Sequence, residues 1–188
     1  MKRFAMITHF TGLNSPENFI YYPYYNFFIK IFPINLIKKC IPFLLPHIIV
    51  RVRNITSKAD KSTEGYAIMC PLLPEHFFRF DDKSVLNKII KSCRKAESLK
   101  VNIVGLAAFT SVVGNEGEYV SRNINLAVTS GNTYTAFLAI DSILKAINTL
   151  EIDVSKSKLV ILGATGDIGS ICTKMLAKIF KTDYRVFV

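Results

Sequence analysis

Tryptophan is absent from the 188 residues, and acidic side chains are scarce: 14 Asp and Glu stand against 24 Lys and Arg, a formal net charge of +10. The shortage is sharpest at the front. Between Met1 and Lys58 the one acid is Glu17, against Lys2, Arg3, Lys30, Lys38, Lys39, Arg51, Arg53 and Lys58. Such a surplus implies an acidic partner, which could be a phosphorylated cofactor, an acidic carrier protein, anionic lipid or nucleic acid. Nucleic acid is set aside, because the chain has no compact Lys/Arg block, no zinc spacing and no RNA-binding signature. The four cysteines, Cys40, Cys70, Cys93 and Cys172, show no paired spacing, which excludes a disulfide scaffold and a metal cluster. Nothing at the start resembles a signal peptide, since Thr8, His9 and Thr11 break the apolar run after Met1-Lys2-Arg3. Free thiols in a reducing cytoplasm are the expectation.

A membrane-crossing run is lacking too. From Phe19 to Pro46 the chain is dense in aromatic and aliphatic residues, but Pro23, Pro33, Pro42 and Pro46 break it and Lys30, Lys38 and Lys39 charge it. A span needs about 20 consecutive apolar residues. Two readings stay open for this segment. It forms short helices with a greasy pocket or interfacial patch, lysines turned to anionic headgroups or a carrier protein, so that the protein sits peripherally on a membrane. Otherwise these are ordinary core helices.

What is present is an α/β pattern. Phe4 to Ile7 reads as a first strand, Ile48 to Ile55 as a strand with one wet face, and Gly65 to Met69 as its partner. Val85, Leu86, Ile89, Ile90 and Cys93 mark an amphipathic helix ending in basic residues. Val101 to Leu106 forms the next strand and runs into a small-residue turn, where Thr110 and Ser111 are candidates for contact with a substrate. His9 at the end of the first strand is either a cleft residue or a hydrogen-bonded structural histidine.

Two further stretches carry chemistry. Ser130-Gly131-Asn132-Thr133 opens a helix whose apolar positions are Tyr134, Phe137, Leu138, Ile140, Leu144 and Ile147. Ser130, Asn132 and Thr133 are good N-caps; alternatively, the hydroxyls and amides there polarise a carbonyl or hold an anion. Lys158 to Gly169 then reads as a buried strand, a glycine turn and a helix, the opening of a dinucleotide-binding unit. Gly163 and Gly166 permit positive φ and close approach of a pyrophosphate, while Gly169 permits close helix packing. Ile168, Ile171, Cys172, Met175, Leu176 and Ile179 form one helical stripe. Tyr184 to Val188 begins another strand. The bland alternative is a tight strand-to-helix turn with no ligand. The expected organisation is an α/β substrate domain over residues 1–150, followed over 151–188 by the start of a truncated Rossmann-like domain.

Taken in order, Ile7-Thr8-His9-Phe10-Thr11, Leu73-Pro74-Glu75, the Gly105 to Ser111 turn, Arg122-Asn123-Ile124, Thr129 to Ala136 and Gly163 to Ser170 resemble the long-chain acyl-[acyl-carrier-protein] reductases. The resemblance implies NADPH-dependent reduction of a fatty acyl thioester, on acyl-carrier protein or coenzyme A, to an aldehyde through a cysteine acyl-enzyme. It would place Gly163, Thr165, Gly166, Asp167, Ile168 and Gly169 along the pyrophosphate, and Gly131, Asn132 and Thr133 beside the reaction cleft. The family's nucleophile would lie beyond Val188, and Cys172, on the apolar stripe, does not replace it. This chain is therefore expected to be the front part of the enzyme, to bind nucleotide weakly and not to turn over substrate alone. The competing enzyme class is a shikimate-type dehydrogenase of a small hydroxy or amino acid, which needs no cysteine.

Overall fold

The computed structural model describes residues 2–12, 31–59 and 61–180. Most of the aromatic run after Phe19 and the strand expected at Tyr184 to Val188 lie outside them. The chain divides into two compact units, 1–130 and 131–188. The division falls ahead of the 150/151 border expected from sequence, because the helix opened by Gly131 packs with the helix that follows the glycine turn.

The first unit is an α/β sheet of five strands in the order β2-β3-β1-β4-β5. Central strand β1 (Lys2–His9) runs parallel to β3 (Ser62–Cys70) on one side and β4 (Ile103–Leu106) on the other. Strand β2 (His47–Thr56) is the antiparallel edge, and β5 (Ala127–Thr129) extends the sheet beyond β4 in parallel. Alternation explains the packing: Ala5 and Ile7, Tyr66 and Ile68, and Val104 and Leu106 share one buried cluster. Helix α3 (Asp82–Ser98) covers it with Val85, Leu86, Ile89, Cys93 and Ala96, its stripe at helical spacing. Asp81 caps that helix, accepting from the Ser84 amide at 2.9 Å.

Strand β5 is absent from the sequence reading, although Ile124, Leu126 and Val128 alternate and pack on the core. Asn123 and Asn125, just ahead of a strand this short, obscure that alternation. At the other edge, β2 carries two register shifts and the exposed Arg51 and Arg53, devices that discourage further strand pairing. Glu64, 6% exposed, holds Arg3 on β1 at 3.1 Å and Arg51 on β2 at 2.8 Å, and so ties three strands together. The two guanidinium groups hold its carboxyl below the usual range, Arg51 contributing most.

Helix α1 (Ile34–Cys40) leads into a short 3-10 turn, Ile41–Phe43, ahead of β2. Helices α2 (His76–Arg79) and α4 (Glu118–Ser121) are single turns. The second unit is built from α5 (Asn132–Thr149) and α6 (Asp167–Phe180), packed through Ala136, Ile140, Cys172 and Leu176.

Here the structure corrects three expectations. Residues 158–161 form no ladder, and Leu162 makes only an isolated bridge. Val160 is 60% and Leu162 84% exposed, so this stretch is not a covered parallel strand. Among the described residues of this unit no other strand lies beside it to satisfy its backbone groups. The stripe on α6 is buried only at its centre, with Ile168, Met175 and Ile179 open, since one helix covers it. On α5 the packed face runs through Ala136, Ile140, Ile143 and Leu144, while Tyr134, Phe137 and Leu138 face outward.

Candidate functional site

In an open parallel sheet, ligands approach the carboxyl ends of the strands. At that edge of the first unit lie His9, Cys70 and Leu106 with the 3-10 turn Ala108–Ser111 after it. His9 is buried and both ring nitrogens are occupied. Nδ1 donates to the Phe10 carbonyl at 2.7 Å, and Nε2 accepts the Phe109 amide at 3.3 Å. The ring stacks on Phe109 at 5.4 Å and tilts against Phe77 at 4.8 Å. Burial pushes its pKa below the ordinary 6.5. His9 is thus the hydrogen-bonded structural histidine of the two readings, a neutral pin between strand and turn.

Thr110 is fully buried, and its hydroxyl lies 2.7 Å from the Ala107 carbonyl and 3.3 Å from that of Ile7. Ser111, half-buried, donates to the Ala108 carbonyl at 2.9 Å. Ala108 holds φ at +52°, a conformation that L side chains rarely adopt. Sequence reasoning missed what surrounds this turn. Phe78, 77% exposed, meets the Phe109 ring edge-on at 5.4 Å, and His76 stacks on Phe80 while its Nδ1 accepts the Leu73 amide at 3.1 Å. The signal was the Phe77-Phe78 pair directly after Leu73-Pro74-Glu75. This edge offers aromatic surface, and neither His9 nor His76 is free there to act as a base.

Both histidines are held neutral as acceptors of backbone amides, and burial lowers both pKa values. A depressed folded pKa means that the unfolded chain takes up protons first. Stability from these groups is full above the unfolded value near 6.5 and is lost as pH falls through the folded values. The urea midpoint is expected to drop on acidification below that point, and His9→Gln to flatten the drop. An identical pH profile for the variant would reject the assignment.

The second unit contains the glycine turn. Gly163 takes φ +74°, as expected, but Gly166 does not lie in the positive region, which corrects the reading for that residue. The Gly166 amide donates to the Gly163 carbonyl at 3.1 Å, and Ser170 closes the first helical bond onto the Gly166 carbonyl at 2.8 Å. A Cβ on Gly169 would sit 2.0 Å from the Gly163 oxygen, so that glycine is required by the fold. A Cβ on Gly166 would meet that oxygen only at an ordinary 3.5 Å. Ala164 is buried beneath the bend, whereas Thr165, Gly166 and Asp167 are exposed and Ile168 is 36% exposed. The first amides of α6 have no partner within the helix, and its dipole favours negative charge there.

Helix α5 starts beside this turn. Gly131, at φ +76°, is its N-cap and no side chain caps it, so the cap expected from Ser130, Asn132 or Thr133 is replaced by glycine. The Gly131 carbonyl accepts both the amide and the hydroxyl of Thr135. Asn132 is thereby released to donate from Nδ2 to Asp167 at 3.1 Å, which joins the two polar helix starts, while Thr133 is exposed. Cys172 is core, with its thiol 3.9 Å from the Ala136 carbonyl. Burial pushes the Cys70 and Cys93 thiols up to about 12, which excludes both as nucleophiles near neutral pH. Cys40 is exposed on the last turn of α1. Among the described residues no metal-binding cluster occurs, and no helix is long and apolar enough to cross a membrane.

No protein-family model matches the chain. The long-chain acyl-[acyl-carrier-protein] reductase of Synechococcus elongatus is 30% identical over 138 residues, 70% of this chain and 40% of that protein. Aminotransferase PigE of a Serratia species is 26% identical over 123 residues, 65% of this chain and 14% of that protein. The chain spans less than half the length of either curated relative, and it is distantly related to the reductase over most of its own length.

Proposed function

We propose that this chain carries the sheet unit and the opening of the dinucleotide site of an oxidoreductase that reduces a long-chain fatty acyl thioester to an aldehyde with NADPH. The reaction consumes acyl thioester, NADPH and a proton and yields aldehyde, free thiol and oxidised nucleotide. The observation that carries the reading is the bend at Gly163–Gly169. Gly169 is demanded by internal packing and Gly163 by its φ, but among the described residues nothing demands a glycine at exposed Gly166. A missing side chain that the fold does not need leaves room for something outside it to approach.

The residues fit a pyrophosphate. Gly163, Thr165, Gly166, Asp167, Ile168 and Gly169 would present backbone to it at the start of α6, with Asn132 holding the Asp167 carboxylate aside. Gly131 and Thr133 would border the nicotinamide side, and Thr110 and Ser111 belong to the turn that closes the sheet edge of the first unit. The bound nucleotide would supply hydride; this chain's part is to bind, orient and exclude water. A thiolate for acyl transfer cannot come from Cys70, Cys93 or Cys172, for the reasons of burial given above. Acyl-carrier protein and coenzyme A both suit a chain of net charge +10 as thioester donors. The likeness to the reductase supports this reading, and the match to an aminotransferase over a small part of its length accords with a module set within larger proteins.

The test is titration of NADPH followed by its own fluorescence. Gly166→Val is expected to weaken binding at least about tenfold, ~1.4 kcal/mol, with the thermal midpoint unchanged. Equal affinity in the variant, or no binding to the unaltered protein, would overturn the assignment.

A further inference from the structure

Between Pro42 and Pro46 the chain exposes three consecutive apolar side chains: Phe43 at 85%, Leu44 at 49% and Leu45 at 80%. Single exposed apolar residues are ordinary; an unbroken triplet standing this free of the fold is not. The turn is firmly based. Ile41 and Pro42 are buried, Ile41 packing with Phe10, Met69 and Leu73, and the Leu44 amide closes on the Ile41 carbonyl at 3.0 Å. The Lys88 ammonium donates to the Pro42 carbonyl, which fastens the turn to α3. Helix α1, directly before it, has no buried residue and exposes Ile34 and Leu36.

Basic side chains predominate around it. Lys38 and Lys39 occupy the last turn of α1, and from Lys88 the same face of α3 continues through exposed Lys91 and Lys95 at i+3 and i+7. Lys38 is paired with Glu75 at 3.0 Å. An apolar tip with lysines on the two helices that carry and fasten it has the layout of a bilayer boundary, with acyl chains beyond and phosphates at the level of the ammonium groups.

We infer that the Phe43-Leu44-Leu45 turn inserts peripherally into an anionic lipid surface, with the lysines of α1 and α3 on its headgroups. An acidic protein fits less well, because its apolar contacts need flat or pocketed area around buried anchors, whereas Phe43 and Leu45 stand 85% and 80% exposed. The inference does not depend on the redox reading.

Flotation with vesicles tests it. The protein is expected to float with equal parts phosphatidylcholine and phosphatidylglycerol, and with pure phosphatidylcholine at least about tenfold less. Phe43→Ser combined with Leu45→Ser is expected to lower partition about tenfold or more, and Lys91→Glu combined with Lys95→Glu similarly. All four side chains lie on the exterior, so thermal midpoints should stay within about 2 °C. The inference fails if the unaltered protein does not float with anionic vesicles, or if the serine variant floats as well as it does. It fails too if an acidic carrier protein is bound and vesicles are not.

Discussion

Gly169→Ala should destabilise the 131–188 unit by about 3 kcal/mol, at the upper end of the cost of overpacking. The new Cβ would lie 2.0 Å from the Gly163 oxygen, 2.9 Å from its carbonyl carbon and 3.2 Å from the Ala164 Cα. All three are backbone atoms, and no rotamer change relieves the contact. Relief requires moving the first turn of α6 or the bend itself, and either movement would pull Cys172 and Leu176 from their packing on Ala136 and Ile140. Gly166→Ala is the internal control. Its Cβ finds ordinary contact on an exposed site, so its effect should stay within about 0.5 kcal/mol. Urea unfolding followed by far-ultraviolet circular dichroism separates the two; equal midpoints would show that the close approach at Gly169 does not exist in solution.

Ile7→Ala should cost the 1–130 unit about 3 to 4 kcal/mol, the range for truncating a buried aliphatic side chain at a site that cannot collapse. Ile7 is fully buried on the central strand, in register with Ile68 on one side and Leu106 on the other. The parallel ladders hold both neighbours in place, so the surroundings cannot close over the cavity. The Ile7 carbonyl also accepts the Ala107 amide at 2.9 Å and is approached by the Thr110 hydroxyl, so the turn bearing Thr110 and Ser111 is anchored on the same residue. A midpoint shift corresponding to less than about 1 kcal/mol would mean that β1 is not central.

Where structure is decided locally, the residues announced it. Helix α3 follows from the spacing of Val85, Leu86, Ile89 and Cys93 with Asp81 as cap, and the glycine bend from its own composition. Where structure depends on distant partners, they did not. The pairing of β1 with β3 joins residues about sixty positions apart, and no local pattern encodes it. The face of α5 that packs is chosen by α6, so Tyr134 and Phe137, apolar but on the far side, were misplaced. Residues 158–162 have the composition of a covered strand, yet composition supplies no neighbour for their backbone groups. At the candidate site, Gly163 and Gly169 were readable because glycine is selected by geometry. The Asn132 to Asp167 bond was not, since it depends on how two helix starts meet. The occupied nitrogens of His9 settle what sequence left open, because only the fold brings Phe109 to that ring.

The carboxylate shared by Arg3 and Arg51 also bears on strand alignment. With two irregularities, β2 has weak positional information of its own, and neighbouring alignments along β3 would differ little in backbone bonding. A slip by one residue would turn the Arg51 guanidinium to the opposite face and leave the buried Glu64 with half its counter-charge. One acid in the interior therefore serves as a proofreading mark, making a hairpin displaced by a single position electrostatically incomplete.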